Sequence, residues 1–142
     1  MQQVNMNLGK TDLQGQGIEV IIREIENEEI EQVTADVLLL IVNALKQAGA
    51  EAISINGHRI ISASVIVDIG NTEFIKVNGK RIPDNTYVIK AIGNQDYLRG
   101  AVLGKGGHVD ELKELGHETM VEASNRVFVE SYGEEITSKY ID

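Results

Sequence analysis

The fold turns on Thr34 to Arg59, TADVLLLIVNALKQAGAEAISINGHR, which reads as a helix, a glycine stop, a strand and a tight turn. Asp36 is a helix opener: its carboxylate can accept from free first-turn amides and sits at the positive end of the helix dipole. Thr34 is the competing cap. From Val37 to Val42 the chain is apolar without a break. A one-sided surface helix shows polar residues in every turn, so the first half of this helix is expected to be buried on most sides. Leu38, Ile41, Val42, Leu45 and Ala48 follow the i, i+3, i+4, i+7 spacing and should face a sheet. A strand could hold such a run, but the length through Ala48 and the polar second half favour a helix.

Gly49 ends it, because a left-handed stop favours glycine. Ala52 to Ile55 alternates as a strand, and Asn56-Gly57 is a strong turn dipeptide. His58 and Arg59 lead into the next strand. Two readings of the polar groups stay open. In one, Asn56 makes the turn and Arg59 pairs with a nearby carboxylate. In the other, Asn56, His58 and Arg59 rim an interaction surface.

At 142 residues the chain is one ordinary domain with a real core. Aromatic residues are 4% and Trp is absent, so that core must be built from Ile, Val and Leu. The net charge of −9 argues against nucleic acid, which needs a basic face, and against charge-driven docking on anionic lipid. The absence of cysteine removes disulfides, thiolate catalysis and cysteine-ligated zinc. The run at Val37 to Val42 is too short to span a membrane, and Met1-Gln2-Gln3 opens no signal peptide.

Outward from the central stretch, residues 1–16 read as a polar arm, residues 17–132 as one domain and residues 133–142 as a polar tail. Gly17 to Ile22 is the first strand. Glu24 to Glu31 is an acidic cluster without the Asp, Asn and Gly spacing of a hard-cation loop, and reads as a solvated loop. In Ile61 to Ile69, Ile61, Ala63, Val65, Val67 and Ile69 share one face of a half-buried strand, with Ile66 the exception on the polar face. Phe74 to Val77 and Tyr87 to Ile92 are further strands, with turns at Gly70-Asn71 and Asn78-Gly79 and an edge or loop at Pro83. Asn94 caps a helix to Leu103 with Tyr97, Leu98, Ala101 and Val102 inward. Gly104-Lys105-Gly106-Gly107 breaks it, and a short helix follows to Leu115. Glu118 to Ala123 and Arg126 to Glu130 read as two strands joined at Ser124-Asn125. The order predicts an α/β (α+β) two-layer sandwich: one mixed β-sheet with two or three helices mainly on one face. The first strand, the long helix and the Ala52 strand would form a right-handed βαβ unit.

Motif tests yield no chemistry. Lys105 fails the phosphate-loop spacing and follows a helix where a strand is needed. His58, His108 and His117 lack the spacing of a helical zinc pair and read as surface histidines. Ser62, Ser64 and Ser124 have no nucleophile-elbow context. No catalytic, metal or cofactor residues are assigned and no cofactor is expected. The glycine joints at Gly57, Gly93 and Gly104 to Gly107 leave a small-ligand sensor or enzyme as the alternative.

The run AGAEAISINGHRI from Ala48 to Ile60, preceded by NALKQ, resembles the bacterial YlxW/YlxX-like family, long labelled division initiation proteins. Asp12 to Ile18 resembles that family's entry to its first strand, with Gln16 where a proline is usual. Ala35 to Leu38, Val77 to Gly79 and Val88 to Gly93 are similar to later parts of its pattern. The central motif is specific and the C-terminal half looser. The resemblance implies a setting: a membrane-spanning helix and a coiled coil before this domain, genes among cell-division genes, and one member tied to sporulation. It supplies no catalytic residues. It implies an excised soluble domain whose missing anchor would place it on the outer face of the cytoplasmic membrane. The expected function is a non-enzymatic interaction domain, with a protein partner from the division or envelope machinery or a second copy as a homodimer. Membrane contact would come only through the anchor.

Overall fold

The computed structural model describes residues 11–25, 29–70, 74–82, 86–104 and 107–132. The C-terminal tail, Pro83, Lys105-Gly106 and most of the N-terminal arm lie outside the described residues. The elements are β1 (Leu13–Arg23), α1 (Ala35–Gln47), β2 (Ala52–Ile55), β3 (His58–Arg59), β4 (Ile66–Ile69), β5 (Phe74–Val77), β6 (Lys80–Arg81), β7 (Thr86–Ile92), α2 (Gln95–Leu103), α3 (His108–Glu114) and β8 (Glu118–Val129).

The expected mixed α/β class holds, with helices packed on sheet, but the strands divide into two sheets rather than one. A five-stranded sheet runs β3-β2-β7-β1-β8, and a three-stranded sheet runs β4-β5-β6. Every described ladder is antiparallel. β1 and β2 both run opposite to β7, so they are parallel to each other with β7 inserted between them. The expected βαβ unit is therefore split. β7 takes the central place because Tyr87, Ile89 and Ala91 are buried on its helix side and Ile92 on the other. β4 to β6 form a ladder of their own and fold back at Asn78-Gly79. They pack instead near α1, where Asp68 Oδ1 accepts from the Ala35 amide at 2.9 Å.

Thr34, not Asp36, caps α1, its hydroxyl accepting from the Val37 amide at 3.4 Å. At the other end the Gly49 amide donates to Lys46 and the Ala50 amide to Leu45, at 3.1 and 3.0 Å, the paired bonds of a Schellman stop. Gly49 adopts φ 94°, which a Cβ would strain. Ala35, Leu38, Ile41, Val42 and Leu45 are buried. Leu39 and Leu40 remain 41% and 45% exposed, so the helix is not covered on most sides. The sheets reach one side of it only.

The main core joins Ile18, Val20 and Ile22 of β1 to α1, β2, β7, α2 and α3. Burying each such aliphatic side chain is worth about 1.5–3 kcal/mol. In α2, Leu98 and Val102 supply the inward face, while Tyr97 turns out at 68% exposure despite its apolar ring. Among the described residues no helix is long and apolar enough to cross a membrane.

β8 is one strand where two were expected. Gly15 pairs with Val127 and Gly17 with Ser124, leaving Asn125 and Arg126 opposite Gln16 alone. That extra residue is a β-bulge, and it reverses which face the following side chains occupy. Val121 packs on the main core, whereas Val127 and Val129 join Leu13, Ala52 and Ile92 in a second cluster. β1 and β7 approach so closely here that a Cβ on Gly17 would collide with the Ala91 carbonyl oxygen.

Candidate functional site

The β2–β3 hairpin holds the residues singled out in the sequence. Asn56 and Gly57 take φ 48° and 84°, the left-handed pair that a two-residue hairpin turn requires. The Asn56 side chain turns onto β7. Its Oδ1 accepts from the Val88 amide at 2.6 Å, and its Nδ2 donates to the Thr86 carbonyl at 3.0 Å. His58 is half-buried.

Arg59 is 1% exposed. Its Nη1 donates to the carbonyls of Thr11 and Glu130, at 3.0 and 3.1 Å. Burial lowers the guanidinium pKa from its ordinary value, and the Asp12 charge opposes that shift. Asp12 itself accepts from the Ser131 amide at 2.7 Å. The Arg59 carbonyl accepts from Asn78 Nδ2 at 2.7 Å, which ties the hairpin to the β5–β6 turn of the small sheet. Arg59 thus fastens the start of β1 and the end of β8 to β3, and it meets main-chain carbonyls as well as a carboxylate. Of Asn56, His58 and Arg59, two aim their polar groups into the fold and one stands at its edge.

Beside the hairpin lies a cleft of about 350 Å³, walled by Lys46, Glu51, Ile53, Arg59, Ile61 and Ser62 among others. Lys46 and Glu51 bring opposite charges to it. A second hollow of about 320 Å³ lies on α2, against Asp96, Arg99, Gly100, Leu103 and Gly104. At the remaining glycine joints, Cβ atoms on Gly57 and Gly93 would press on Glu130 and Leu98, so those sites are close packing. Among the described residues no group of His, Asp and Glu could hold a metal ion.

His117 is not a surface histidine: it is 3% exposed. Its Nδ1 accepts from the Ile25 amide at 3.1 Å, and its Nε2 lies 2.6 Å from the Glu31 carbonyl. Its partners are 92 and 86 positions away in the chain, so no local pattern could have announced it. His108 lies at the surface 3.8 Å from Glu111.

The small sheet shows the clearest departure from the sequence pattern. Ile61 to Val65 is a turn, in which the Ile61 amide donates to Ser64 Oγ at 2.8 Å. The strand that follows turns Ile66, read as the exception, toward the core, where it packs beside Ile75 and Val77. The apolar odd face therefore looks outward. Val65 and Val67 are 56% and 37% exposed. Across the strands Val67 pairs with Lys76 and Lys76 with Arg81, while Ile69 pairs with Phe74. Arg81 lies over the Phe74 ring at 4.4 Å, a cation–π contact.

With this geometry in place, the chain can be set beside known proteins. It is 33% identical over 112 residues to the UPF0749 protein YlxX of Bacillus subtilis, covering 75% of this chain and 47% of that protein. With the UPF0749 protein YlxW of the same organism it is 29% identical over 117 residues, covering 78% of this chain and 49% of that one. The chain thus spans about half the length of these curated relatives. A crystal structure of an uncharacterized conserved protein from Mycobacterium tuberculosis superposes with a TM-score of 0.79 at 27% identity, over 92% of this chain and 89% of that one. The profile of the family described as "Bacterial protein of unknown function (DUF881)" matches residues 1–142, and the chain belongs to that family, beside YlxX and YlxW.

Proposed function

We propose that this domain holds a protein partner rather than turning over a substrate, within a membrane-anchored bacterial protein of the division apparatus or cell envelope. The outer face of the small sheet carries the reading. An antiparallel sheet with one face in a core normally turns polar residues to water. Here Val65, Val67, Ile69 and Phe74 share the outward face with Lys76 and Arg81. Asp68, the described acid of β4, caps α1 on the inner side. In a chain of net charge −9 the described residues of this face are basic as well as apolar. Such a surface suits an acidic partner segment with apolar side chains: burial gives affinity and opposite charge orients the encounter. Among the described residues, buried Arg59 and His117 spend polar atoms on main-chain groups, which supports structural rather than catalytic work. The setting follows from the resemblance, and the greater length of the relatives leaves room for an anchor.

A photo-crosslinking residue at Val67 of the full-length protein in its own cells tests the reading, with one at exposed Asn43 of α1 as the control. A discrete adduct at 67, absent at 43 and lost in Lys76→Glu/Arg81→Glu, is expected. No adduct, or one indifferent to the charge reversal, sinks the reading. An adduct between two copies would make the domain a homodimer instead. The cleft at Lys46 and Glu51 falls at the lower end of ligand-pocket volumes. A saturable thermal shift with a nucleotide, sugar or cell-wall fragment would favour that alternative.

A further inference from the structure

We infer that His117 is a proton-sensitive latch, which pins both ends of the β1–α1 connection only while its ring is neutral. The Ile25 amide can only donate, so Nδ1 must accept and carries no hydrogen. The Glu31 carbonyl can only accept, so the ring proton sits on Nε2. The two bonds together select one neutral tautomer. A proton arriving at Nδ1 removes the acceptor from Ile25 and sets two hydrogens against each other, while the Nε2 bond survives.

Charged residues flank the latch along the chain. Arg23 and Glu24 come from the end of β1, Glu29 and Glu31 from the connection, Lys113 and Glu114 from the end of α3, and Glu118 from the start of β8. Arg23 and Glu118 pair at 3.6 Å, and Glu24 accepts from the Val33 amide at 2.6 Å. Glu24 is a second fastening of the same connection. Gly116, with φ 105°, sets the ring in place, and the Ile30 side chain packs within 3.0 Å of where its Cβ would stand. What the latch holds is the described backbone at Ile25 and Glu31. The inference stands apart from the partner reading, since these residues lie off the small sheet.

Amide hydrogen exchange of the whole domain tests it, with rates corrected for intrinsic chemistry. The comparison is made between neutral and acidic pH. Protection at Ile25 should fall about three- to tenfold, the worth of one hydrogen bond, while β7 amides keep theirs. In His117→Gln, which can still donate to Glu31 but does not titrate, the Ile25 response to pH should vanish. Unchanged protection in the wild type overturns the latch. So does an undiminished response in the variant, which would assign the effect to Glu24. If the variant fails to fold, nitrogen-15 spectra of the wild-type ring decide. The Nε2–H tautomer must be seen at neutral pH, and its protonation must coincide with the loss at Ile25. Protonation without that loss refutes the inference.

Discussion

Arg59 stands where the β3 edge, the start of β1 and the end of β8 converge, so its removal reports on the fold before it reports on any surface. Arg59→Ala leaves the carbonyls of Thr11 and Glu130 without their donor and should cost about 1–3 kcal/mol in urea unfolding. A loss below about 1 kcal/mol, of the kind an exposed ion pair gives, would contradict the burial. Ser54, its cross-strand neighbour, is the opposite case. Its hydroxyl is buried and has no hydrogen-bond partner among the described residues. Ser54→Ala should hold stability or raise it by about 1 kcal/mol, and a clear loss would reveal a bond to the hydroxyl. Asn56-Gly57 was legible because a turn chooses its residues locally. The inward commitments of Asn56 and Arg59 were not, since each depends on strands that close from distant sequence.

Among the elements, α1 tests how far an apolar run implies burial. Leu38→Ala should cost about 2–5 kcal/mol, since Leu38 is fully buried. Leu40→Gln, two residues on, should stay within about 0.5 kcal/mol, as surface changes do. Equal losses at the two positions would mean that the helix is covered on both sides. Helix, stop and strand from Thr34 to Ile55 were readable because periodicity and glycine chemistry act over a few residues. β4 was misread for an equally physical reason. Alternation says that two faces differ but not which one meets the core, and here a single isoleucine outweighed a row of apolar neighbours. In β8 the turn signal at Ser124-Asn125 was real, yet the chain spends it on a bulge. Gln95 fixes that bulge by donating to the Ser124 carbonyl at 2.9 Å.

At the scale of the whole molecule, the α/β class followed from the order of elements, but the number of sheets did not. Sheet membership is settled by tertiary packing rather than by pattern or strand length: two-residue β3 joins the large sheet, and four-residue β4 and β5 do not. The charge balance also has molecular consequences. A net charge of −9 repels acidic partners at a distance, so docking through the Lys76 and Arg81 face must rely on short-range contact. Raising salt screens both effects. If the apolar residues supply most of the affinity, the crosslinked partner should still bind at about 0.5 M salt, where exposed charges are screened within several ångströms. A partner released by such salt would instead be held by charge alone.

The bulged ladder of β1 and β8 begins with Leu13 opposite Val129, and Arg59 clips the two segments just outside that pair. The polypeptide therefore enters and leaves the domain side by side. Tension applied between these two points would open the ladder like a zipper, one rung after another, instead of shearing all rungs at once. The first resistance it met would be the guanidinium clip, which makes Arg59 the mechanical fuse of the domain.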